Sequence, residues 1–386
     1  MRKALLIFIN AILCLGHVLG QQDMVKMTYY GHLYLESRIN GKPARMVFDT
    51  GSPYTCLDSF FVAESGLEFD SIEWTTASGA GNGVVDVPVV VNKLSYRFGE
   101  REFINEITPV LPIKPIIGDF VDGIIGISNL RDKVISIDYV AGQMRILDSL
   151  GDTAGYTAIP IRYENNRIYV PLALNLVDNG WMSGDVILDL GSGNSVSIYG
   201  WDAVRNISPR ICYTDINTGV GGGSSGCFFR AKSVTVGPFS FDSVTMDYRN
   251  NSVGAISPES DCMGIIGNAI WERFDMMIDL PGRKLYLKKN ANYGNPFGSP
   301  LIGFTPTNRG RTLGCWIVNG IFTGSNAEKA GLRCGDRITV INGRSVRELG
   351  FEDMPTFFKG MKSITLTVQR DNGTEEISFD FDKPKI

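Results

Sequence analysis

Two acidic motifs in the sequence have the composition expected of a carboxylate pair. Each consists of an aspartate, one variable residue, a glycine and a serine, and each follows three hydrophobic residues. The motifs are Asp49-Thr50-Gly51-Ser52 and Asp189-Leu190-Gly191-Ser192. An aspartate at the end of a buried strand presents its carboxylate on the following turn, where backbone N–H groups can hold it by hydrogen bonds. The chemistry then depends on whether the two turns meet.

Two carboxylates that meet can act as an acid and a base. Like charges at close range repel each other by about 4 kcal/mol at an effective dielectric constant of 20, so the pair keeps one proton over a wide pH range. Such a pair titrates as a unit. Its ionised member could take a proton from a water molecule held between Asp49 and Asp189, while the protonated member polarises a carbonyl group. This chemistry needs no metal, cofactor or histidine.

Histidine-dependent chemistry has a single candidate. The sequence contains two histidines, and His17 lies in a predicted leader peptide. His32 alternates with apolar residues in a pattern typical of the exposed face of a strand. A Ser-His-Asp or Cys-His hydrolase, or a histidine-rich zinc site, would have to be built around His32. We therefore assign no chemistry to it.

The two motifs belong to an internal repeat with an offset of 140 or 141 residues. The segment 121–126, which ends in Gly-Ile-Ile-Gly at Gly126, returns as residues 262–267, which end in the same way at Gly267. An Ile-Asp pair follows each segment, at Asp138 and at Asp279. Because these three kinds of landmark and the glycine-rich loops of the next paragraph keep their register, the sequence predicts two homologous lobes.

A glycine-rich loop lies between the motif and the Gly-Ile-Ile-Gly segment in each copy. Its glycines follow the aspartate by 30, 32 and 34 residues in both copies. They are Gly79, Gly81 and Gly83 in the first copy and Gly219, Gly221 and Gly223 in the second. Each copy also begins with a hairpin whose turn is Asn40-Gly41 or Asn179-Gly180, a favoured two-residue turn.

The remaining pattern predicts an all-β protein with a small additional domain. Strand patterns fill both copies with few amphipathic helices between them, which favours a pair of β-barrels. Residues 288–300 contain little to bury and predict an exposed connection. After it, the sequence predicts a small β-rich domain with two helices, near residues 326–332 and 351–361. The predicted divisions are a signal peptide at 1–20, lobes at 21–150 and 151–290, a linker at 291–300 and a domain at 301–386.

The first 20 residues have the features of a signal peptide. Arg2 and Lys3 precede a largely apolar run that ends in a small residue, Gly20, as signal-peptidase sites do.

Two of the 37 basic residues and none of the 41 acidic residues lie in this leader, so the rest of the chain has a net charge of −6. Nucleic acid is not an expected partner of such a chain. No later segment has the roughly 18 apolar residues that a membrane span requires. We expect an exported monomer, periplasmic or extracellular, without a membrane span after cleavage.

Six cysteines remain after the leader, which allows up to three disulfides in an exported protein. The sequence does not determine the pairing. The pairings with the shortest loops are Cys212 with Cys227 and Cys315 with Cys334.

The duplicated motifs resemble those of the pepsin and retropepsin superfamily of aspartic peptidases, in the bacterial form that carries both lobes in one chain. The resemblance covers residues 25–290 and implies a double-barrel fold and polypeptide hydrolysis without a cofactor. It implies that Asp49 and Asp189 are catalytic and that Gly126 and Gly267 belong to segments that support the motifs from beneath. The glycine loops occupy the place of the flaps that close over the substrate.

Residues 301–386 resemble a PDZ domain of the kind attached to bacterial exported proteases. The resemblance rests on residues 327–332, Gly335-Asp336-Arg337-Ile338 and Asn342-Gly343. It implies that Leu301-Ile302-Gly303-Phe304 forms a loop that receives a peptide C-terminus through backbone N–H groups. Such a domain would recruit the substrate or regulate access to the cleft.

The second motif departs from the superfamily at Leu190. The superfamily places Thr or Ser after each aspartate, where the two hydroxyls brace the motifs against each other. Thr50 fits this pattern, but Leu190 removes one brace, a hydrogen bond worth about 1 kcal/mol. The main hypothesis is therefore an aspartic endopeptidase, and the alternative is an inactive peptide-binding or scaffold protein of the same fold. A carbohydrate hydrolase with two carboxylates is a third possibility, which does not require the symmetric motifs.

Overall fold

The structure is a computed structural model that describes residues 24–81, 83–176, 180–199, 204, 207–251, 257, 260–298 and 302–383. The predicted signal peptide at 1–20, Asn179 of the second hairpin turn and Leu301 lie outside the described residues.

The part of the first lobe that the structure describes contains ten strands and two short α-helices. The helices are α1 (Ser59–Ser65) and α2 (Lys114–Ile117), and a 3-10 helix covers Ser128–Leu130. The strands are β1 (Met24–Tyr30), β2 (His32–Ile39), β3 (Lys42–Phe48), β4 (Cys56–Asp58), β5 (Ser71–Ser78), β6 (Val84–Phe98), β7 (Arg101–Leu111), β8 (Gly123–Ile125), β9 (Val134–Asp138) and β10 (Gln143–Leu147).

Local sequence explains how these elements begin and turn. Asn40 and Gly41 both have positive φ, 47° and 79°, and form the predicted two-residue turn between β2 and β3. Asp58 caps α1, since its Oδ1 accepts hydrogen bonds from the backbone N–H groups of Phe60 and Phe61. Gly66 ends the helix in the left-handed conformation.

In its described residues, the second lobe repeats this arrangement with eleven strands and one short α-helix, α3 (Asn268–Trp271). The strands are β11 (Thr157–Pro160), β12 (Arg162–Glu164), β13 (Arg167–Leu176), β14 (Gly180–Leu188), β15 (Val196–Tyr199), β16 (Arg210–Gly219), β17 (Gly222–Val236), β18 (Phe239–Arg249), β19 (Gly264–Ile266), β20 (Phe274–Asp279) and β21 (Lys284–Lys289).

The two lobes are joined through one sheet. The predicted Ile-Asp pairs end strands β9 and β20, and these two strands pair antiparallel, with Ile137 opposite Met276. This pairing connects β11, β21 and β20 of the second lobe to the sheet of the first lobe, which then has 13 strands. Asp138 and Asp279 each accept a hydrogen bond from a backbone N–H group three residues later, so both hold turns.

A single apolar cluster runs through both lobes. It includes Phe48 and Leu188, the residues before the two aspartates, and both are fully buried. Burying a side chain of this size contributes about 1.5–3 kcal/mol. The core therefore fixes the strand ends from which the two acidic motifs project.

The C-terminal domain, residues 302–383, has its own sheet and its own apolar cluster. The sheet order is β22-β23-β24-β26-β27, with β25 paired to β24. The elements are β22 (Phe304–Arg309), β23 (Cys315–Ile321), α4 (Asn326–Lys329), β24 (Arg337–Ile341), β25 (Arg344–Ser345), β26 (Ser363–Arg370), β27 (Gly373–Asp380) and 3-10 helices at Val346–Glu348 and Phe351–Thr356.

Two local expectations need correction. The second predicted helix of the C-terminal domain, near 351–361, is the 3-10 helix Phe351–Thr356, which contains Pro355; proline lacks the N–H group that a continuing α-helix requires. The predicted connection is not wholly exposed. Tyr293 and Phe297 are half-buried and pack on Phe241, with ring centroids 5.1 Å and 5.8 Å away.

None of the helices in the described ranges is long and apolar enough to cross a membrane.

Candidate active site

Equivalent strand ends present the two aspartates. Strand β3 leads to Asp49 and runs parallel to β8, and strand β14 leads to Asp189 and runs parallel to β19. The backbone N–H group of Asp49 donates to the carbonyl oxygen of Ile125 at 3.0 Å, and that of Asp189 donates to Ile266 at 3.0 Å. The Gly-Ile-Ile-Gly segments thus hold both motifs in the same way.

The two motifs meet, with the carboxyl group of each aspartate lying against the glycine of the opposite motif. A Cβ atom at Gly51 would lie 2.7 Å from Cγ of Asp189, and one at Gly191 would lie 2.3 Å from Cγ of Asp49. A side chain at either position would occupy the space of the opposite carboxyl group. Glycine is therefore required at both positions for the close approach.

Backbone N–H groups of each motif hold its own carboxylate. Oδ1 of Asp49 accepts from the N–H groups of Gly51 at 2.7 Å and Ser52 at 3.0 Å. Oδ1 of Asp189 accepts from Gly191 at 2.8 Å. The first carboxylate receives one more backbone donor of its own motif, which favours its ionised form.

The predicted serines act within their own loops. The hydroxyl of Ser52 donates to the carbonyl oxygen of Tyr54 at 2.8 Å, and that of Ser192 accepts from the N–H group of Asn194 at 3.3 Å.

Gly126 and Gly267 lie where close backbone contacts leave no space for a Cβ atom. A Cβ atom at Gly126 would lie 2.3 Å from the carbonyl carbon of Tyr54, and one at Gly267 would lie 2.4 Å from the carbonyl oxygen of Asn194.

The electrostatic environment distinguishes the two carboxyl groups. Burial raises the pKa of Asp49, and hydrogen bonds from backbone N–H groups and from Asp189 oppose part of this rise. Burial raises the pKa of Asp189 well above its usual value, and the neighbouring charge of Asp49 raises it further. Both shifts favour a pair that keeps one proton.

One hydroxyl braces the two motifs. Oγ1 of Thr50 donates to the carbonyl oxygen of Leu188 at 2.6 Å and accepts from the N–H group of Leu190 at 3.0 Å. The side chain of Leu190 is fully buried in the apolar cluster. The hydroxyl bond that it cannot make is worth about 1 kcal/mol, whereas burying its side chain contributes about 1.5–3 kcal/mol. In the second motif, apolar packing of Leu190 therefore takes the place of one hydroxyl hydrogen bond.

Asn268 is a further connection between the lobes, which the sequence reasoning missed. Its buried amide Nδ2 donates to the carbonyl oxygens of Leu190 at 2.7 Å and Gly31 at 3.0 Å, and its Oδ1 accepts from the hydroxyl of Tyr139 at 2.7 Å. The signal in the sequence is an asparagine directly after Gly267, where the first copy has Ile127.

The two glycine loops meet each other. The N–H group of Gly221 donates to the carbonyl oxygen of Ala80 at 2.8 Å, and Gly81 and Gly221 form a parallel bridge. A Cβ atom at Gly81 would lie 2.4 Å from the carbonyl carbon of Gly221. The same two loops contain the other predicted glycines, Gly79, Gly83, Gly219 and Gly223. A Cβ atom at Gly79, Gly83 or Gly219 would contact atoms of the opposite loop.

A cleft of about 1370 Å³ contains both aspartates and is lined by both lobes. Residues of the glycine loops line it together with Asp49 and Asp189. Trp74, Ile104 and Ile107 of the first lobe also line it, with exposed fractions of 70%, 54% and 63%. A cleft with exposed apolar walls and a polar centre is typical of ligand-binding sites.

His32 lies in this cleft, so its interpretation as a residue on the exposed face of a strand is wrong. It begins β2, directly after the turn at Gly31, and its Nδ1 is buried without a hydrogen-bond partner among the described residues. Burial lowers the pKa of its imidazole, and a hydrogen bond with the backbone of Gly191 partly opposes this shift. Arg167 begins β13 at the equivalent place in the second lobe and also lines the cleft.

The predicted peptide-binding loop of the C-terminal domain is described at Ile302, Gly303 and Phe304. Gly303 has a φ of 84°, and its carbonyl oxygen accepts from the N–H group of Phe322 at 3.0 Å and the hydroxyl of Ser325 at 3.2 Å. Its role as a peptide-binding loop stays a prediction.

The structure contains one of the two disulfides with the shortest loops. Cys212 and Cys227 are bonded across strands β16 and β17, where they face each other in the register. Cys315 and Cys334 are both free, the first buried and the second exposed, so the pairing of these two is wrong. Cys315 begins a buried strand, whereas Cys334 lies in an exposed turn.

Comparisons with known proteins identify two regions of the chain. Residues 35–128 match the family of aspartyl proteases, and residues 317–370 match the PDZ domain. No curated protein matches the chain. Among solved structures, the aspartic proteinase from Irpex lacteus is 14% identical, and the match covers 70% of this chain and 98% of that chain with a TM-score of 0.47.

The all-β fold and the family resemblance predicted from the sequence are confirmed. The chain combines a region similar to aspartyl proteases with a C-terminal PDZ domain.

Proposed function

We propose that the chain is an aspartic endopeptidase in which Asp49 and Asp189 activate a water molecule for attack on a peptide bond. The observation that supports this proposal most directly is the close approach of the two carboxyl groups, each against the glycine of the opposite motif, in a cleft of about 1370 Å³. The charged Asp49 is the general base, and the protonated Asp189 is the general acid that polarises the scissile carbonyl. Histidine, metal and covalent intermediate play no part in this scheme.

The substrate is an extended polypeptide that lies between the lobes under the glycine loops. The loops contact each other at Gly81 and Gly221, so the substrate can enter only when they separate. Once they close again, they exclude water from the reaction, apart from the attacking molecule.

The test is cleavage of a reduced and alkylated polypeptide between pH 3 and pH 7, with and without pepstatin. We expect pepstatin-sensitive cleavage that Asp49→Asn and Asp189→Asn each abolish. Asp86→Asn, on an exposed position of β6, is the matched control and should retain activity. Cleavage that survives either of the first two substitutions would refute the proposed mechanism.

The loss of one hydroxyl brace at Leu190 supports a second candidate, a peptide-binding protein without hydrolytic activity. It predicts that the same polypeptide binds at every pH but stays intact. Binding measured by fluorescence anisotropy, together with the cleavage assay, separates the two functions.

We also propose that the protein is exported as a monomer and that the loop at Ile302–Phe304 receives a peptide C-terminus. The proposal of export is supported by the leader pattern at 1–20, and it predicts a mature chain that begins at Gln21. N-terminal sequencing of the protein purified from its native compartment tests this start. Mass photometry tests the oligomeric state, and titration with peptides that have free or amidated C-termini tests the loop.

A further inference from the structure

The C-terminal domain contributes to the same cleft as the two aspartates. Thr305, Pro306 and Thr307 of β22, with Asn319 of β23, line the cavity that contains Asp49 and Asp189. Strand β22 is an edge strand, paired within its sheet only with β23. A domain attached by a flexible connection alone would not have a fixed place in this wall, so the contacts that hold it are decisive.

The first lobe holds β22 through the segment that follows α2. The buried carboxylate of Asp119 accepts from Nε of Arg309 at 2.8 Å, and from the N–H group and hydroxyl of Thr312, both at 2.8 Å. The N–H group of Asp119 donates to the carbonyl oxygen of Asn308 at 2.8 Å. Asp119 and Arg309 are only 2% and 3% exposed, so this is a buried, fully hydrogen-bonded ion pair.

Aromatic packing extends this contact. The ring of Phe351, in the 3-10 helix of the C-terminal domain, lies 4.9 Å from Tyr34 and 5.6 Å from Phe120 of the first lobe. The guanidinium group of Arg45 lies 4.0 Å from the centre of the same ring. Rings at these separations attract each other beyond the effect of their burial.

The second lobe holds β23 through the hairpin that carries its glycine loop. The N–H group of Thr323 donates to the carbonyl oxygen of Cys212 at 2.8 Å, and Phe322 forms a bridge with Tyr213. Gly320 packs so closely on Ile216 that a Cβ atom would lie 2.2 Å from Cγ1 of that side chain. The C-terminal domain therefore contacts both lobes beside the cleft.

The cleft wall near this junction is uncharged and combines the polar side chains of Thr305, Thr307 and Asn319 with an aliphatic part. Thr307 of β22 donates to the carbonyl oxygen of Ile116 at 3.3 Å, and Ile216 packs on Gly320 of β23, so α2 and β16 are the neighbours of the C-terminal strands. The lining residues of these neighbours are aliphatic, and they are Ile113, Ile116, Ile117, Ile216 and Val220. Pro306 cannot donate a backbone hydrogen bond, which favours recognition of a substrate side chain over addition of a substrate strand at this point.

We infer that the C-terminal domain completes the substrate-binding cleft and, with the aliphatic residues of both lobes, binds a large apolar side chain of the substrate away from the scissile bond. This inference rests on the proposed function for the presence of a scissile bond, but the binding of the side chain does not depend on hydrolysis.

Substitution of Pro306 tests this specificity. Pro306→Glu places a carboxylate in this uncharged wall, where an unpaired charge is costly. We expect it to lower kcat/KM by at least about tenfold for peptides with Leu or Phe at one position, and to raise it for peptides with Lys at that position. Thr374→Glu, at an exposed site of β27, should leave the profile unchanged. An unchanged profile for Pro306→Glu, in a variant with a native circular dichroism spectrum, would overturn the inference.

Cross-linking separates this inference from the proposed function. Benzoylphenylalanine replaces Thr305 in an Asp189→Asn background, and fluorescent decapeptides with Leu, Lys or Asp at each position are the probes. We expect light-dependent cross-links to Leu-containing peptides, and no such preference with the photoreactive residue at position 374. Cross-linking without cleavage by the wild-type protein would refute the peptidase but support the shared cleft. Cleavage by the wild-type protein without cross-links at position 305 would support the peptidase and overturn the shared cleft.

Discussion

The two aspartates differ in their surroundings although the loops that present them are similar. Asp49 receives two backbone hydrogen bonds from its own motif, and Asp189 receives one. The residues that follow the two aspartates differ as well. The hydroxyl of Thr50 donates to the carbonyl oxygen of Leu188 in the second lobe, whereas the side chain of Leu190 is buried in the core. This asymmetry gives the two carboxyl groups different environments, which identical motifs in a symmetric site would not do.

At the residue scale, Thr50 should be essential for stability as well as activity. Thr50→Val removes the acceptor for the buried N–H group of Leu190 and the donor to Leu188, and each unsatisfied buried group costs about 1–3 kcal/mol. We expect a loss of about 2–4 kcal/mol in the free energy of unfolding, measured by urea denaturation. Thr50→Ser retains the hydroxyl and should retain most of the stability. Equal losses in both variants would show that the methyl group, and not the hydroxyl, stabilises the junction.

The raised pKa of Asp189 predicts a specific pH dependence of stability. A carboxyl group whose pKa is higher in the folded state binds its proton more tightly there, so it stabilises the fold at low pH. This contribution is lost as pH rises from the unfolded value of about 3.9 through the raised folded value. The free energy of unfolding of the wild type should therefore fall relative to Asp189→Asn over this window. A difference that stays constant between pH 3 and pH 7 would contradict the raised pKa.

At the scale of elements, the glycine loops are the parts that must move. The loops contact each other through a backbone hydrogen bond and a bridge. Asn251 also donates to the carbonyl oxygen of Gly81 at 3.3 Å, and the half-buried Val220 packs on an apolar cluster formed mostly by the first lobe. Opening has to break these few contacts, whereas the strands beneath are fixed by the core. The disulfide between Cys212 and Cys227 lies further down the hairpin of the second loop, so it ties the two strands together without fixing the tip.

The loop contact predicts different effects of two alanine substitutions. Gly81 and Gly222 both have positive φ, 111° and 83°, so alanine strains the backbone at either position. Only at Gly81 would the new Cβ also collide with the opposite loop, 2.4 Å from Gly221. We expect Gly81→Ala to raise the KM for a peptide substrate several-fold more than Gly222→Ala does. Similar KM values for the two variants would show that closure does not depend on this contact.

At the scale of the whole molecule, the three units form one continuous surface around the cleft. The lobes share the sheet that joins β9 to β20, and the C-terminal domain contacts both lobes. The ion pair of Asp119 with Arg309 is a buried connection of that domain to the first lobe.

Breaking this ion pair should have a large effect on docking. Arg309→Met leaves the carboxylate of Asp119 buried without a cation, which costs about 3–5 kcal/mol. Arg97→Met breaks an exposed pair with Glu100 of similar length, 2.7 Å, and should cost less than about 1 kcal/mol. Urea denaturation measures the stability, and limited proteolysis near residues 291–300 reports release of the domain. Equal sensitivity of the two variants would contradict a buried, stabilising interface.

The sequence by itself determined the features that are encoded locally or by repetition. The repeated landmarks predicted two β-rich lobes, paired aspartates and a glycine-rich loop in each lobe, because hydrophobic strands and tight turns impose residue types at fixed spacing. The hairpin at Asn40-Gly41 follows from the same local rules. The resemblance then supplied the fold, and the catalytic role of the aspartates stays a prediction.

Only the tertiary structure decided which distant residues meet. The contact of Asn268 with Gly31, the place of His32 in the cleft and the free state of Cys315 and Cys334 depend on how elements far apart in the chain pack together. The docking of the C-terminal domain on both lobes has the same origin. A buried ion pair or a cleft wall has no spacing signature, because its members come from different elements, and its free energy exists only when those elements are in place.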